Sequence, residues 1–242
     1  MTHFDDAVAL VNHAKDDLAK LVQSYDSSLQ HQTVERGLLV DIKNLMENLR
    51  SALDYSAHGL FSKHGSSTKP DPKIYFPYAA LTQTQAAFQA SKRIEACIPG
   101  LTASRPDIVA RLETYQHYAS PTNRWLPLFM EINNENKHEK LTPQTRREAR
   151  ALRVESKGAV LDLGPGATAD IGHGASIQVG DAVIPGSQNI SGDSPARIHG
   201  TGIQTITVWV SFIFDSNGEE ALPFLRNAVG KVEEIVRELS AF

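Results

Sequence analysis

Arg50, Asp54 and His58 recur every fourth residue in NLRSALDYSAHGL, residues 48 to 60, with Tyr55 beside them. Residues four apart meet on a helix surface, so Arg50 can pair with Asp54, and Asp54 with His58. A guanidinium can hold a phosphate or carboxylate, and an imidazole can take or give a proton near neutral pH. The same spacing also suits a plain salt bridge on a helix surface or between helices. A second cluster lies in INNENKHEKL, residues 132 to 141, with Asn133, Asn134, Asn136, Lys137 and His138. Asn134 and His138 share one helical face, Asn133 and Lys137 another. Such a group can bind an anion, although asparagines are poor helix formers and also mark a fraying helix end. The candidate catalytic residues are therefore Arg50, Asp54, Tyr55, His58 and His138. The candidate binding residues are Asn133, Asn134, Asn136 and Lys137.

Both clusters need helices to position them. Leu39, Ile42, Met46, Leu49, Leu53, Ala57 and Leu60 step by three and four along one side of a helix that carries the first cluster. Upstream, Thr2 and Asp5 resemble a capping box. A helix to about Ser28 follows, with Phe4, Val8, Val11, Leu18, Val22, Tyr25 and Leu29 as its apolar stripe, broken by Lys15. A short polar turn, Gln30 to Thr33, makes the two helices antiparallel neighbours. GSSTKPDPK, 65 to 73, reads as a loop and IYFPYAA as extended chain. A third helix is expected from Thr84 to Cys97. A fourth starts near Pro106 and carries Ile108, Val109, Leu112 and Tyr115. A fifth holds Trp125, Leu128, Phe129 and Ile132 on one face. Residues 1–145 thus form a bundle of four to five helices.

Residues 146–242 differ in character. RREARALR, 146 to 153, is either a last helical turn or a first strand. Ten of the sixteen glycines then fall between Gly158 and Gly202, which excludes helix there. Gly174, Gly180, Gly186 and Gly192 recur every sixth residue, as do Ile171, Ile177 and Val183. That period suits a hexapeptide solenoid carrying a small-ligand or acyl-transfer site, but four units make little more than one coil. Short antiparallel strands with glycine turns are the expected structure. TITVWVSFIF, 205 to 214, reads as a central strand. Leu225, Ala228, Val232, Ile235 and Leu239 stripe a last helix that closes the β layer or docks on the bundle. The fold class is α+β: a helical bundle, a small glycine-rich antiparallel β region and a C-terminal helix.

Several chemistries lack their residues. No dinucleotide or phosphate-loop glycine pattern is present, nor a second histidine for a zinc helix at His138-Glu139, nor a Gly-x-Ser-x-Gly elbow. No cofactor or metal is expected. Cys97 is the single cysteine of 242 residues, which excludes an internal disulfide, suits a reducing compartment and reads as a packed thiol. The N-terminal residues lack a signal-peptide pattern, and no apolar run reaches the roughly 18 residues of a membrane span, so the expected location is cytoplasmic, without a membrane partner. A net charge of −4 and a pI near 6.1 withhold the whole-chain footprint of a nonspecific nucleic-acid binder.

NLRSALDYSAHGL resembles the LRSALDHLA-type helix of uncharacterised bacterial proteins. WLPLFMEINNENKHEKLTPQ and KIYFPYA resemble further segments of the same group, so the likeness runs over residues 35 to 145. The arginine, four residues, histidine spacing of that helix is similar to the signature of HEPN domains. These are helical bundles that often dimerise and, in nuclease members, cleave RNA without metal, arginine holding the phosphate and histidine acting as acid or base. Arg50 takes the arginine position and Tyr55 the histidine position. A phenol, with a reference pKa near 10, is a poor base. His58 points about 60° away around the helix, at 100° per residue. The resemblance implies self-association, with a homodimer as partner, in bacterial defence or a toxin–antitoxin setting. Its alternative is a metal-independent ribonuclease using Arg50 with His58 or His138, for which RNA or a nucleotide would be the partner.

Overall fold

The computed structural model describes residues 2–31, 36–138, 141 and 144–242, and the backbone alone at 25–31, 136–138, 146, 209 and 210. Thr2 caps the first helix reciprocally: its Oγ1 accepts from the Asp5 N–H and its own N–H donates to Asp5 Oδ2. Helix α1, His3–His31, then runs beside α2, Arg36–His64. The buried seam of α1 is Phe4, Ala7, Val11, Ala14 and Leu21, a strict three-and-four alternation once half-buried Leu18 is included. Val8, assigned to this stripe from sequence, is 43% exposed. Two alanines occupy the seam instead, because small side chains let the two helices approach. The side chains of Tyr25 and Leu29 lie outside the described residues, and the turn placed at Gln30 to Thr33 runs into undescribed chain. Lys15, which interrupts the stripe, pairs with Glu233 of the last helix.

Helix α2 buries far more than the expected single stripe. Leu38, Leu45, Ala52, Ser56 and Gly59 join Ile42, Met46, Leu49, Leu53, Ala57 and Leu60, while Leu39 is only half-buried. Such wide burial follows from its neighbours, since α2 packs against α1, against α7, Trp125–His138, and against the last helix α8, Ala221–Ser240. Every residue of the stripe read in α8 is buried. The last helix belongs with the helical bundle: the chain divides into two compact units, residues 1–145 with 213–242, and 146–212.

The remaining helices are short. The single helix expected from Thr84 to Cys97 is broken into α3, Gln85–Ala90, and α4, Arg93–Cys97. Ser91 Oγ donates to the Phe88 carbonyl, and Lys92 turns into the left-handed region at φ 49°. Serine competing for a backbone carbonyl is a local alternative to helix continuation. Next come α5, Leu101–Ser104, α6, Pro106–Thr114, a 3-10 turn at Pro121–Arg124, and α7, Trp125–His138. Cys97 is a free buried thiol, pushed up by that burial.

RREARALR is strand. β1, Gln144–Ser156, pairs antiparallel with β2, Ala159–Leu163. β3, Thr168–Ile171, pairs antiparallel with β6, Gln188–Ser191, around the hairpin of β4, Ser176–Val179, and β5, Ala182–Pro185. No solenoid forms here. The six-residue period is a four-residue strand followed by a two-residue turn, Gly180-Asp181 and then Gly186-Ser187. Leu152, Val154, Ile171, Val179, Ile184 and Ile190 make this unit's core. β7, Ile203–Phe214, is an edge of its three-stranded sheet, in the order β2-β1-β7, and not the central strand its apolar faces suggest. Ile206 and Val208 are 43% and 48% exposed, whereas Phe212 and Phe214 are buried.

Candidate functional site

Gly59 sets the position of the site. A Cβ built there would stand 2.5 Å from Phe4 Cε2, so the missing side chain is what seats Phe4 against α2. Seating Phe4 carries its neighbour His3 onto the same surface. The His3 ring centroid lies 5.4 Å from that of His58 and 6.0 Å from that of Tyr55. Lys63 Nζ covers the Phe4 ring at 4.9 Å from its centroid.

A cleft of about 290 Å³ opens here, lined by His3, Ser51, Asp54, Tyr55, His58, Ile74 and Tyr75. Its far wall is the extended segment read as IYFPYAA. Asp54 Oδ1 accepts from the Phe76 N–H at 2.9 Å, and at the other end buried Gln116 accepts from the Ala79 N–H at 2.9 Å and donates to the Pro77 carbonyl at 3.2 Å. Extended chain without a ladder must find other partners for its amides: these two side chains supply some, and the Cys97 carbonyl accepts from the Tyr75 N–H at 3.4 Å. Asp54 is thus an anchor for the wall holding Ile74 and Tyr75, as well as a charge near His58.

Arg50 faces another way. Its Nη1 donates to Asn134 Oδ1 of α7 at 2.7 Å, so the two polar clusters read from the sequence meet in space. Beside Asn134, Asn133 is fully buried and donates to the Phe129 carbonyl at 2.9 Å, its Oδ1 finding no hydrogen bond among the described residues. The side chains of Asn136, Lys137 and His138 lie outside the described residues. Tyr55 and His58 belong to the cleft, Arg50 and Asn134 to the α2–α7 seam.

Burial lowers the His58 pKa, the neighbouring His3 lowers it further, and Asp54 opposes both. Burial and His3 thus favour the neutral ring, in which one nitrogen can accept a proton. His3, Tyr75 and Gln116 were not legible as site residues. Gly59 is a sequence signal of close packing on α2, since an isolated glycine inside a helical pattern often marks it, but it does not name His3. Among the described residues, no group of three or more His, Cys, Asp or Glu is arranged to hold a metal ion, and no helix is long and apolar enough to cross a membrane. No family model matches the chain, and neither a curated protein nor a solved structure does.

Proposed function

We propose that the helical unit is a HEPN-like scaffold that acts by self-association and binding, in a setting such as bacterial defence or a toxin–antitoxin pair, without cutting RNA. The observation carrying this reading is the engagement of Arg50. One of its five N–H donors goes to Asn134, while the position five residues on is Tyr55, its ring tilted beside that of His3 in a separate cleft. An arginine already bonded to an amide, and a phenol in place of an imidazole, weaken the nuclease pattern at both of its working positions. Size-exclusion chromatography with light scattering over micromolar concentrations is the test of self-association. A homodimer is the expected result, and a strict monomer overturns it.

One observation favours a ribonuclease as a second reading: the His58 ring lies 5.4 Å from a second imidazole, that of His3, and a pair of imidazoles can divide acid and base roles. Here Arg50 would serve with His58 or His138. Incubation with a mixed RNA pool decides between the readings. Intact RNA supports the scaffold, whereas cleavage that disappears in Arg50→Ala and His58→Ala establishes the nuclease.

A further inference from the structure

The break between α3 and α4 has a second result besides shortening a helix. Phe88 and Ile94, both buried, and half-buried Val109 floor a groove of about 460 Å³ among α3, α4, α5 and α6, with exposed Ala103 at its edge. That volume falls in the range of small-ligand sites, about 300 to 1,000 Å³. Four charged side chains stand around the floor, and they are not equivalent. Glu95 accepts from the Gly100 N–H at 2.7 Å and from the Thr102 N–H at 3.2 Å. Glu113 takes the Gln89 amide on both of its oxygens, at 3.0 and 2.9 Å. Both carboxylates are thus hydrogen-bonded within the fold, and Glu95 also feels the charge of Lys92. Lys92 and Arg93 form no ion pair or hydrogen bond through their side chains among the described residues, Arg93 only lying over the Tyr78 ring at 5.9 Å from its centroid.

The backbone adds an independent observation. Lys92 holds φ 49° and ψ 40°, a left-handed conformation that costs a non-glycine residue free energy and that gathers at ligand clamps. A glycine would hold this turn more cheaply, so lysine at this place is unexplained by the turn itself. An apolar floor with two cations at its rim, and with the adjacent carboxylates already engaged, is complementary to one class of ligand.

We propose that this groove binds an amphipathic carboxylate, its apolar body over Phe88, Ile94 and Val109 and its anionic head at Lys92 and Arg93. The site is separate from the His3–His58 cleft and independent of the function proposed for it. The probe is decanoate below its micelle concentration, titrated against the full chain by calorimetry and amide NMR, with decanol and decyltrimethylammonium alongside. Saturable 1:1 binding of decanoate, at least tenfold tighter than either analogue, is expected, with shifts centred on α3 to α6. Lys92→Gln with Arg93→Gln should weaken it at least tenfold, and Ala103→Trp should fill the groove and abolish it. Lys92→Gly separates a backbone role from a binding role: it should raise Tm by relieving the left-handed turn and still weaken decanoate. His58→Ala should leave binding unchanged. Absence of saturable binding at millimolar decanoate, equal affinity for decanol, or binding that survives Ala103→Trp in a folded protein overturns the assignment.

Discussion

Gly59 in the helical unit and Gly192 in the β unit both sit where a Cβ has no room, but what crowds them differs. At Gly59 the obstruction is the Phe4 ring, the end of a side chain on a neighbouring helix. At Gly192 it is the Arg150 carbonyl, whose oxygen would lie 2.2 Å and whose carbon 2.3 Å from the added atom. Helices approach through side chains, which can rotate away, whereas the short strands of the β unit pass one another at backbone distance. A glycine in the first setting places a site. In the second it permits the fold.

Two substitutions test that difference directly. Gly192→Ala should cost about 3 kcal/mol or more in urea unfolding, at the upper end of overpacking effects, because the strand carrying Arg150 cannot yield without losing its ladder. Gly59→Ala should cost less, about 1 kcal/mol net. Alanine regains most of glycine's helix penalty of about 0.8–1 kcal/mol, and the Phe4 ring can swing aside. Its clearer mark should be local: with Phe4 displaced, His3 leaves His58, and the His58 titration followed by NMR should move up toward an ordinary imidazole value. Equal losses at the two positions would show that the distinction between side-chain and backbone crowding is wrong.

The same contrast explains what the sequence made legible. Helical stripes in α2, α7 and α8 were plain because burial on one side repeats every three or four residues. The seam of α1 was misread at Val8 because Ala7 and Ala14 are too small to stand out as core. The break at Lys92 carried no glycine or proline to announce it. In the β unit the six-residue period was visible before its meaning, since a strand of four and a turn of two has the same repeat as a solenoid edge. Arg50 and Asn134 could be suspected as partners from their separate polar faces. His3 could not, because the contact exists only once α1 lies antiparallel on α2 and Gly59 opens the space.

The Arg50–Asn134 bond should matter less than either glycine. It joins two helices already packed through apolar side chains, and it lies on the exposed side of their seam. Charge-assisted hydrogen bonds contribute about 1.5 to 3 kcal/mol when shielded and less when water competes. Arg50→Ala and Asn134→Ala should therefore each cost about 0.5 to 1 kcal/mol, with a coupling of similar size in the double mutant. Strict additivity would mean that the two side chains do not act together in solution, and that the meeting of the two polar clusters is incidental.

The smallest effect is the pH dependence of the cleft. Burial, and next to it the His3 ring, hold the His58 pKa below its usual value, and Asp54 opposes them only in part. A histidine depressed in the folded state binds fewer protons there than in the unfolded chain between the two pKa values, so stability rises with pH across that window. The contribution is fully present above an ordinary histidine pKa of about 6.5 and is lost as pH falls through the lowered value. Tm should thus decline between pH 7.5 and 5.5 more in the wild-type protein than in His58→Gln, which removes the titrating ring, while His3→Gln should give an intermediate slope by removing the smaller of the two depressing effects. Carboxylates elsewhere titrate in all three proteins and cancel in the comparison. A wild-type decline no steeper than that of His58→Gln would show that the two imidazoles do not share a desolvated cleft, and would remove the observation on which the ribonuclease reading depends.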